Sequence, residues 1–451
     1  MSNKISISLL GAIMTLFLTG KTFAQEVLEF SLDESIQYAL ENNANSKNAL
    51  LGTYAAKASV GERIAEGFPQ INGSMDFTKN ISIPVMFLPN EGPFEDPDNP
   101  ADVVPVQFGV NYQSGIALRV DQMIFDGSYF VGLKAARTVR ELSEYDKEKT
   151  ENDVIESVKK AYFTVLVNKE RKTLVEANKA RIDTLLRDTK ALYEEGFAEK
   201  LDVTRIQVQL NNIETQLDKI NASTEISKQL LKIQMGLPLD TEVVISETLQ
   251  ELNRPQEIQG LLNNNGYRRV EVDQLRTNWE LTQLDLKNNT VQYLPTLNAN
   301  LTYQRNGAGQ HFNTVWDSNN WYTGAFLGFS LNVPIFDGLA KSKRIQQNRI
   351  QLEQIENQMV MLEDNIEVER FQARTTLRNN LKTLEVQREN MELALEVYNI
   401  TKIKYSEGVG SNLEVVQADS DLKEAETNYY SALYDALIAK VDLEKALGIL
   451  R

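Results

Sequence analysis

Two hydrophobic periods alternate along the chain. From Ser128 to Leu192, and again from 339 to 405, apolar and polar residues mix at helical spacing without a proline, and without a glycine after Gly132. At 1.5 Å per residue the first stretch alone makes roughly 95 Å of helix. Helices of that length have no place in an ordinary globular core and demand coiled-coil packing. Shorter helical stretches flank them: Leu32 to Glu66, broken near Asn42-Asn43 and stopped by Pro69; Leu201 to Met235, entered after Gly196; about 268 to 292; and 412 to 447. By themselves such helices fit a cytoskeletal-like rod or a plain coiled coil equally well.

A period of two interrupts the helices twice. Ile71, Gly73, Met75 and Phe77 alternate with Asn72, Ser74, Asp76 and Thr78, and Ile116, Leu118 and Val120 alternate with Ala117, Arg119 and Asp121. Later, Leu297, Ala299, Leu301 and Tyr303 alternate with polar neighbours, as do Leu327, Phe329, Leu331, Val333 and Ile335 with Gly328, Ser330 and Asn332. Strands of this kind suit a barrel wall with one face to lipid and one to water. They also suit a half-exposed soluble sheet. The loops between paired strands are long and polar, and residues 80–113 hold six of the eleven prolines. Trp316, Trp321 and Tyr322 lie in or beside the second loop, where interfacial aromatics belong.

The plan is written twice. Tyr193-Glu194-Glu195-Gly196 and Leu201-Asp202-Val203 return as Tyr405-Ser406-Glu407-Gly408 and Leu413-Glu414-Val415, each at an offset of 212 residues. The same offset links Ala161 to Ala373, Leu210 to Leu422 and Gly236 to Gly448. Ile124-Phe125-Asp126-Gly127 returns as Ile335-Phe336-Asp337-Gly338, and Phe68-Pro69 as Leu294-Pro295. Each copy reads helix, hairpin, very long helix, return helix. The first repeat is placed at 25–236 with its hairpin at about 70–124, the linker at 237–255, and the second repeat at 256–451 with its hairpin at about 295–336.

Lys4, the apolar stretch from Ile5 to Leu18 and Thr22-Phe23-Ala24 form a signal peptide over residues 1–24, cleaved after Ala24. Its removal takes away Lys4 and Lys21 and moves the net charge from −16 to −18. That acidity argues against binding nucleic acid. Without cysteine there is no disulfide, no thiolate nucleophile and no lipid-anchored amino-terminal cysteine. The one histidine, His311, sits in an expected surface loop. No nucleophile–base pair or ligand cluster appears, so no enzyme activity, metal or cofactor is expected.

No other apolar run approaches spanning length, so entry into a membrane must be as β-structure. One copy offers four strands. Four strands cannot close around a lumen, and an open edge in lipid leaves backbone groups unpaired. Several copies must therefore share one barrel, and three would give about twelve strands, within the outer-membrane range.

At this point the chain resembles the TolC-type outer-membrane efflux proteins, also called outer-membrane factors. The resemblance rests on Ser31-Leu32 with Ala39-Leu40-Glu41-Asn42-Asn43, the paired Phe68-Pro69 and Leu294-Pro295, the two Ile-Phe-Asp-Gly blocks, Tyr405 and Gly408 with Leu413-Glu414-Val415, and Gly448. It implies a mainly α protein with β-hairpins: a homotrimer whose twelve-stranded barrel in the outer membrane of a Gram-negative cell continues as a helical tunnel through the periplasm, with the linker at the tunnel equator. It further implies a passive exit duct of a tripartite efflux or type I secretion system. The duct docks a periplasmic adaptor and a proton-driven or ATP-driven inner-membrane pump, and its periplasmic end opens on docking.

The resemblance also assigns roles to residues. After the capping-box spacing Ser411-Asn412-Leu413-Glu414, Glu414, Gln417, Asp421 and Glu424 share one helical face. Periodicity alone reads this as a solvated outer face; the resemblance makes it the gate and lumen stripe. Glu414 keeps the acidic character of the family's constriction and Gln417 departs from it. A three-fold ring of Glu414 would attract cations. Beside the stripe, Val415, Ala418, Leu422, Ala425 and Tyr429 form an apolar face for packing. Tyr405 and Asp202 match a closed-state latch, whose arginine is here Gly410. The turns with Gly196, Ala198, Gly408, Gly410 and Ser411 are the expected adaptor-docking tips, although simple turn chemistry gives the same glycines. Two other readings compete: a periplasmic coiled-coil adaptor or structural protein, and a secreted enzyme.

Overall fold

The computed structural model describes residues 27–94, 97, 101–249, 255–264, 266 and 268–450. The expected signal peptide and its cleavage site lie outside them, as does part of the segment 237–255. In chain order the elements are β1 (Val27–Phe30), α1 (Leu32–Asn42), α2 (Ala44–Ala65), β2 (Gln70–Lys79), β3 (Val85–Pro89), β4 (Val103–Gln107), β5 (Tyr112–Phe125), α3 (Gly127–Glu194), α4 (Lys200–Met235) and β6 (Glu242–Ile245). They continue with α5 (Pro255–Leu262), α6 (Val270–Val291), β7 (Thr296–Gly309), β8 (Trp321–Asn332), α7 (Ala340–Ser406) and α8 (Asn412–Leu447). Among the described residues no helix is long and apolar enough to cross a membrane. The described residues form two compact units: those within 53–144 and 274–359, and those within 27–52, 145–273 and 360–450.

The first unit carries an antiparallel four-stranded sheet in the order β2-β5-β7-β8. Its register explains the sequence alternation. Ile71 pairs with Val120 and Val120 with Leu301, which pairs with Leu327; Gly73, Leu118, Tyr303 and Ala325 line up likewise. Paired residues share a face, so the alternating apolar residues of all four strands fall on one side, Tyr322 and Phe326 of β8 excepted. Asn72, Arg119, Thr302 and Phe326 form a row on the other, as do Ser74, Ala117, Gln304 and Gly324. Ile71, Met75, Leu118, Leu301, Leu327 and Phe329 are exposed in the single chain. At one end Phe77 stacks on Trp316 and Tyr112, with ring centroids 5.9 and 6.2 Å apart, and Trp321 Nε1 donates to Val315 O at 2.9 Å. β2 and β8 are the sheet's edges.

Two expectations for this unit need correction. The alternation read through Val333 and Ile335 is not strand beyond Asn332, because Pro334 has no N–H for the ladder. The segment 80–113, expected as a polar loop, contains the hairpin β3–β4, with Val85 opposite Gln107 and Pro89 opposite Val103. Its Pro89 and Pro105 are tolerable because each strand has only one partner.

The second unit is helical. α1 and α2 break at Asn43, whose backbone turns extended (φ −59°, ψ 137°). Its Oδ1 accepts from Asn45 N at 2.7 Å, and its Nδ2 donates to Gln234 O at 2.7 Å on α4. Gly236 (φ +76°) and Gly448 (φ +66°) end α4 and α8 in the left-handed conformation. Both must lack a side chain: a Cβ would lie 2.6 Å from Asn42 O at Gly236 and 1.9 Å from Arg268 O at Gly448. β1 and β6 form a short parallel pair. One core joins Tyr162, Leu166, Leu231, Met235, Val243, Leu433 and Leu437; a second joins Ile182, Ile206, Leu210, Ile213, Val415 and Leu422. Each such side chain contributes ~2 kcal/mol by leaving water.

Candidate functional site

The return helix α8 starts where its capping residue dictates. Ser411 is extended (φ −99°, ψ 149°) and its Oγ accepts from Glu414 N at 3.3 Å. From that start Glu414, Gln417, Asp421 and Glu424 are all exposed, on one face, with Gln417 Nε2 donating to Asp421 Oδ1 at 2.7 Å. Val415, Ala418 and Leu422 are buried beside them. The stripe is an unshielded acidic surface with one neutral member.

Tyr405 and Asp202, expected to pair, bond elsewhere in this chain. The Tyr405 hydroxyl lies 3.4 Å from Thr189 Oγ1 on α3. Asp202 sits in the first turn of α4, where its Oδ2 accepts from Glu199 N at 3.3 Å and its Oδ1 lies 3.5 Å from Arg205. Unpaired N–H groups at a helix start are natural partners for a carboxylate. Gly410, which the resemblance sets at the place of a latch arginine, packs against the end of α7. A Cβ there would stand 3.1 Å from Tyr405 N and 3.2 Å from the Lys404 carbonyl carbon.

The two tips share one geometry. Gly196 (φ +81°) and Gly408 (φ +72°) reverse the chain, and the next residues close it: Phe197 N donates to Leu192 O at 2.7 Å, and Val409 N to Lys404 O at 3.0 Å. Phe197 is 82% exposed and Val409 75%. Leu201 and Leu413 are exposed as well. Ala198 and Gly410 are half-buried and Ser411 is exposed. Attention to small residues missed these apolar side chains. Their signal was available, since Phe197 and Val409, like Leu201 and Leu413, are related by the repeat offset.

A third group was also missed. Asn412, Asp419 and Glu426 recur every seven residues on α8 and are buried in the seam that holds Val415 and Leu422. Asp419 is 0% exposed and Glu426 6%. Arg181 of α3 faces both, with Nε 3.8 Å from Asp419 Oδ1 and Nη2 3.7 Å from Glu426 Oε1. These are ion pairs too long to be hydrogen bonds. Arg181 also lies over the Tyr398 ring of α7, 5.7 Å from its centroid, and Gln209 Nε2 of α4 donates to Asp419 Oδ2 at 3.4 Å. Arg181 Nε and Nη2, Asp419 Oδ1 and Glu426 Oε2 have no hydrogen-bond partner. Burial pushes the Glu426 carboxyl up to about 7, against the pull of Arg181 and with added repulsion from Asp419. Burial raises Asp419 too, opposed by Arg181, Gln209 and Lys423.

Comparison with known proteins agrees with this layout. The model of the family described as "Outer membrane efflux protein" matches residues 35–236 and 268–449. The pyoverdine export outer membrane protein OpmQ of Pseudomonas aeruginosa is 22% identical over 421 residues, covering 92% of this chain and 85% of its own length. The outer membrane protein TolC of Vibrio cholerae is 20% identical, covering 95% and 93%. The crystal structure of the outer membrane protein VceC from Vibrio cholerae superposes with a TM-score of 0.68 at 16% identity, over 92% of this chain and 96% of that one. The open-state structure of the MtrE outer membrane channel of Neisseria gonorrhoeae gives 0.65 at 15% identity, over 92% and 88%. These structures share the fold.

Proposed function

The chain belongs to the outer membrane efflux protein family and resides in the outer membrane as an exit channel; from that premise we propose that three copies build one duct. The sheet carries this reading: all four strands turn most of their apolar residues to one face, and β2 and β8 remain as edges. Because the strands alternate in direction, β8 of one copy meets β2 of the next antiparallel. Three copies then close about twelve strands without an open edge in lipid. The mature chain divides into repeats 25–236 and 256–451 about a linker at 237–255, after removal of the signal peptide 1–24.

Energy comes from an inner-membrane pump, proton-driven or ATP-driven, joined through a periplasmic adaptor. The tips at Gly196, Ala198, Gly408, Gly410 and Ser411 dock that adaptor, and Phe197 and Val409 supply the apolar contact area. Glu414, with Gln417, Asp421 and Glu424 behind it, lines the periplasmic gate, where three Glu414 carboxylates favour cations. Tyr405 joins the closed-state latch through Thr189, and Asp202 contributes by fixing the start of α4.

The deciding experiment is migration of the protein from outer-membrane fractions on unheated and heated gels, followed by conductance in planar bilayers. A heat-modifiable trimer with steady conductance supports the duct. A water-soluble monomer without affinity for detergent rejects it. Cysteines at Ala198 and Ser411 should crosslink to an adaptor in cells expressing the whole system; loss of Phe197 and Val409 to serine should abolish that crosslink.

A further inference from the structure

Asp419 and Glu426 are buried charges, and Arg181 a half-buried one, that the duct does not require. Two carboxylates share one guanidinium where α3, α4, α7 and α8 meet, and none of the three has its hydrogen bonds complete. With both acids ionised, the site holds one excess negative charge out of water. The triad itself carries this excess; of the cations nearby, Lys423 helps hold Asp419 ionised. Gln209 and Tyr398 are neutral; Arg171, Lys219 and Lys423 stand with Glu426 around a cavity of about 280 Å³. That cavity gives Glu426 a route for proton exchange while Asp419 remains sealed. The excess charge can therefore leave in two ways: a carboxyl takes up a proton, or α8 shifts until Glu426 reaches water.

We infer that this triad is a proton-operated clamp, holding α8 against α3 and α4 when one carboxyl is protonated and favouring their separation when both are ionised. The helical junction carries this directly. Its effect on conductance rests on the duct reading above. The sign follows from the raised Glu426, displaced upward chiefly by burial to about 7. A group raised in the folded state contributes stability that is present below the ordinary carboxylate range and is lost as pH rises through its folded value. Acid tightens the clamp, and pH above about 7 loosens it. The chain has one histidine, His311, which is exposed and belongs to the other unit.

The test is thermal melting of the full-length protein in detergent between pH 5.5 and 8.5, paired with conductance in planar bilayers. For wild type, the melting temperature should fall by about 2 °C as pH rises through 7, and conductance should rise over the same range. Glu426→Gln should melt above wild type at pH 8, lose the slope and keep the acid-side conductance throughout. Asp419→Asn removes a repelling charge and should move the midpoint to lower pH. Glu214→Gln, the exposed repeat counterpart, and His311→Gln should keep the wild-type slope. A Glu426→Gln protein with the full wild-type slope overturns the clamp, as does a wild type without slope. Absence of any channel would reject the duct while the melting curves still decide the clamp.

Discussion

The return helices α4 and α8 are repeat counterparts of equal length, 36 residues each, yet α8 buries 15 of them and α4 buries 8. α4 turns one side to its neighbours through Ile206, Leu210 and Ile213. α8 buries the equivalent side at Ala418 and Leu422, and also the seam of Asn412, Val415, Asp419 and Glu426. The counterparts of the two buried acids are mild by contrast. Gln207 donates to Asn211 at 3.0 Å, and Glu214 makes an exposed pair with Lys179 at 3.0 Å. Duplication thus supplied two similar helices, and packing on a second side made one of them sensitive to charge. Polar groups in a coiled-coil seam reduce stability while restricting register.

The strongest way to break this asymmetry is to strip the acids of their cation. Arg181→Ala should cost about 4 kcal/mol at pH 8, because it leaves two buried carboxylates unpaired. The cost should shrink at pH 6, where Glu426 is mostly protonated. Melting at both pH values checks this, and an equal loss at each would contradict the burial argument. Lys179→Ala, which removes the cation from Glu214, should leave the melting temperature nearly unchanged at either pH.

Packing gives a second, smaller contrast. Leu422 is 0% exposed and Leu210 is 7%. Leu422→Ala should cost about 3 kcal/mol and Leu210→Ala about 2 kcal/mol, since the flank of α4 can relax into the space. At the helix ends the order is again α8 over α4. Gly448→Ala should cost about 3 kcal/mol and Gly236→Ala about 2 kcal/mol, the left-handed backbone being penalised at both and the clash being worse at Gly448. Denaturant melts of the four variants would test both orders.

The same contrast explains what was legible in the sequence. Helix extents followed from proline and glycine placement, so the stretch read as 412–447 is α8 itself. The four long strands followed from alternation because each has one apolar face. The pair β1–β6 was invisible: four residues at each end, separated by more than 200 positions, carry no local signal. Asp419 and Glu426 escaped because a search for one apolar face assigns every acid outside it to solvent. A seven-residue count from Asn412 would have placed both in the seam. The Tyr405–Asp202 latch rested on matching positions alone, and local helix-start chemistry gave Asp202 other partners.

The smallest effect tests how each return helix begins. Ser411 Oγ accepts from Glu414 N, so Ser411→Ala should cost about 1 kcal/mol and fray the first turn of α8. At α4 the corresponding residue is Glu199, whose side chain makes no capping bond; the helix start is held instead by Asp202 reaching back to Glu199 N. Glu199→Ala keeps that backbone bond and should cost under about 0.5 kcal/mol, whereas Asp202→Ala loses it. Hydrogen exchange over 412–416 and 200–204 reads the two starts separately. If Ser411→Ala leaves 412–416 protected while Asp202→Ala opens 200–204, burial of Asn412 and Val415 rather than the cap fixes the start of α8. The acidic stripe from Glu414 onward would then be positioned by packing, and the asymmetry between the helices would extend to their first turn.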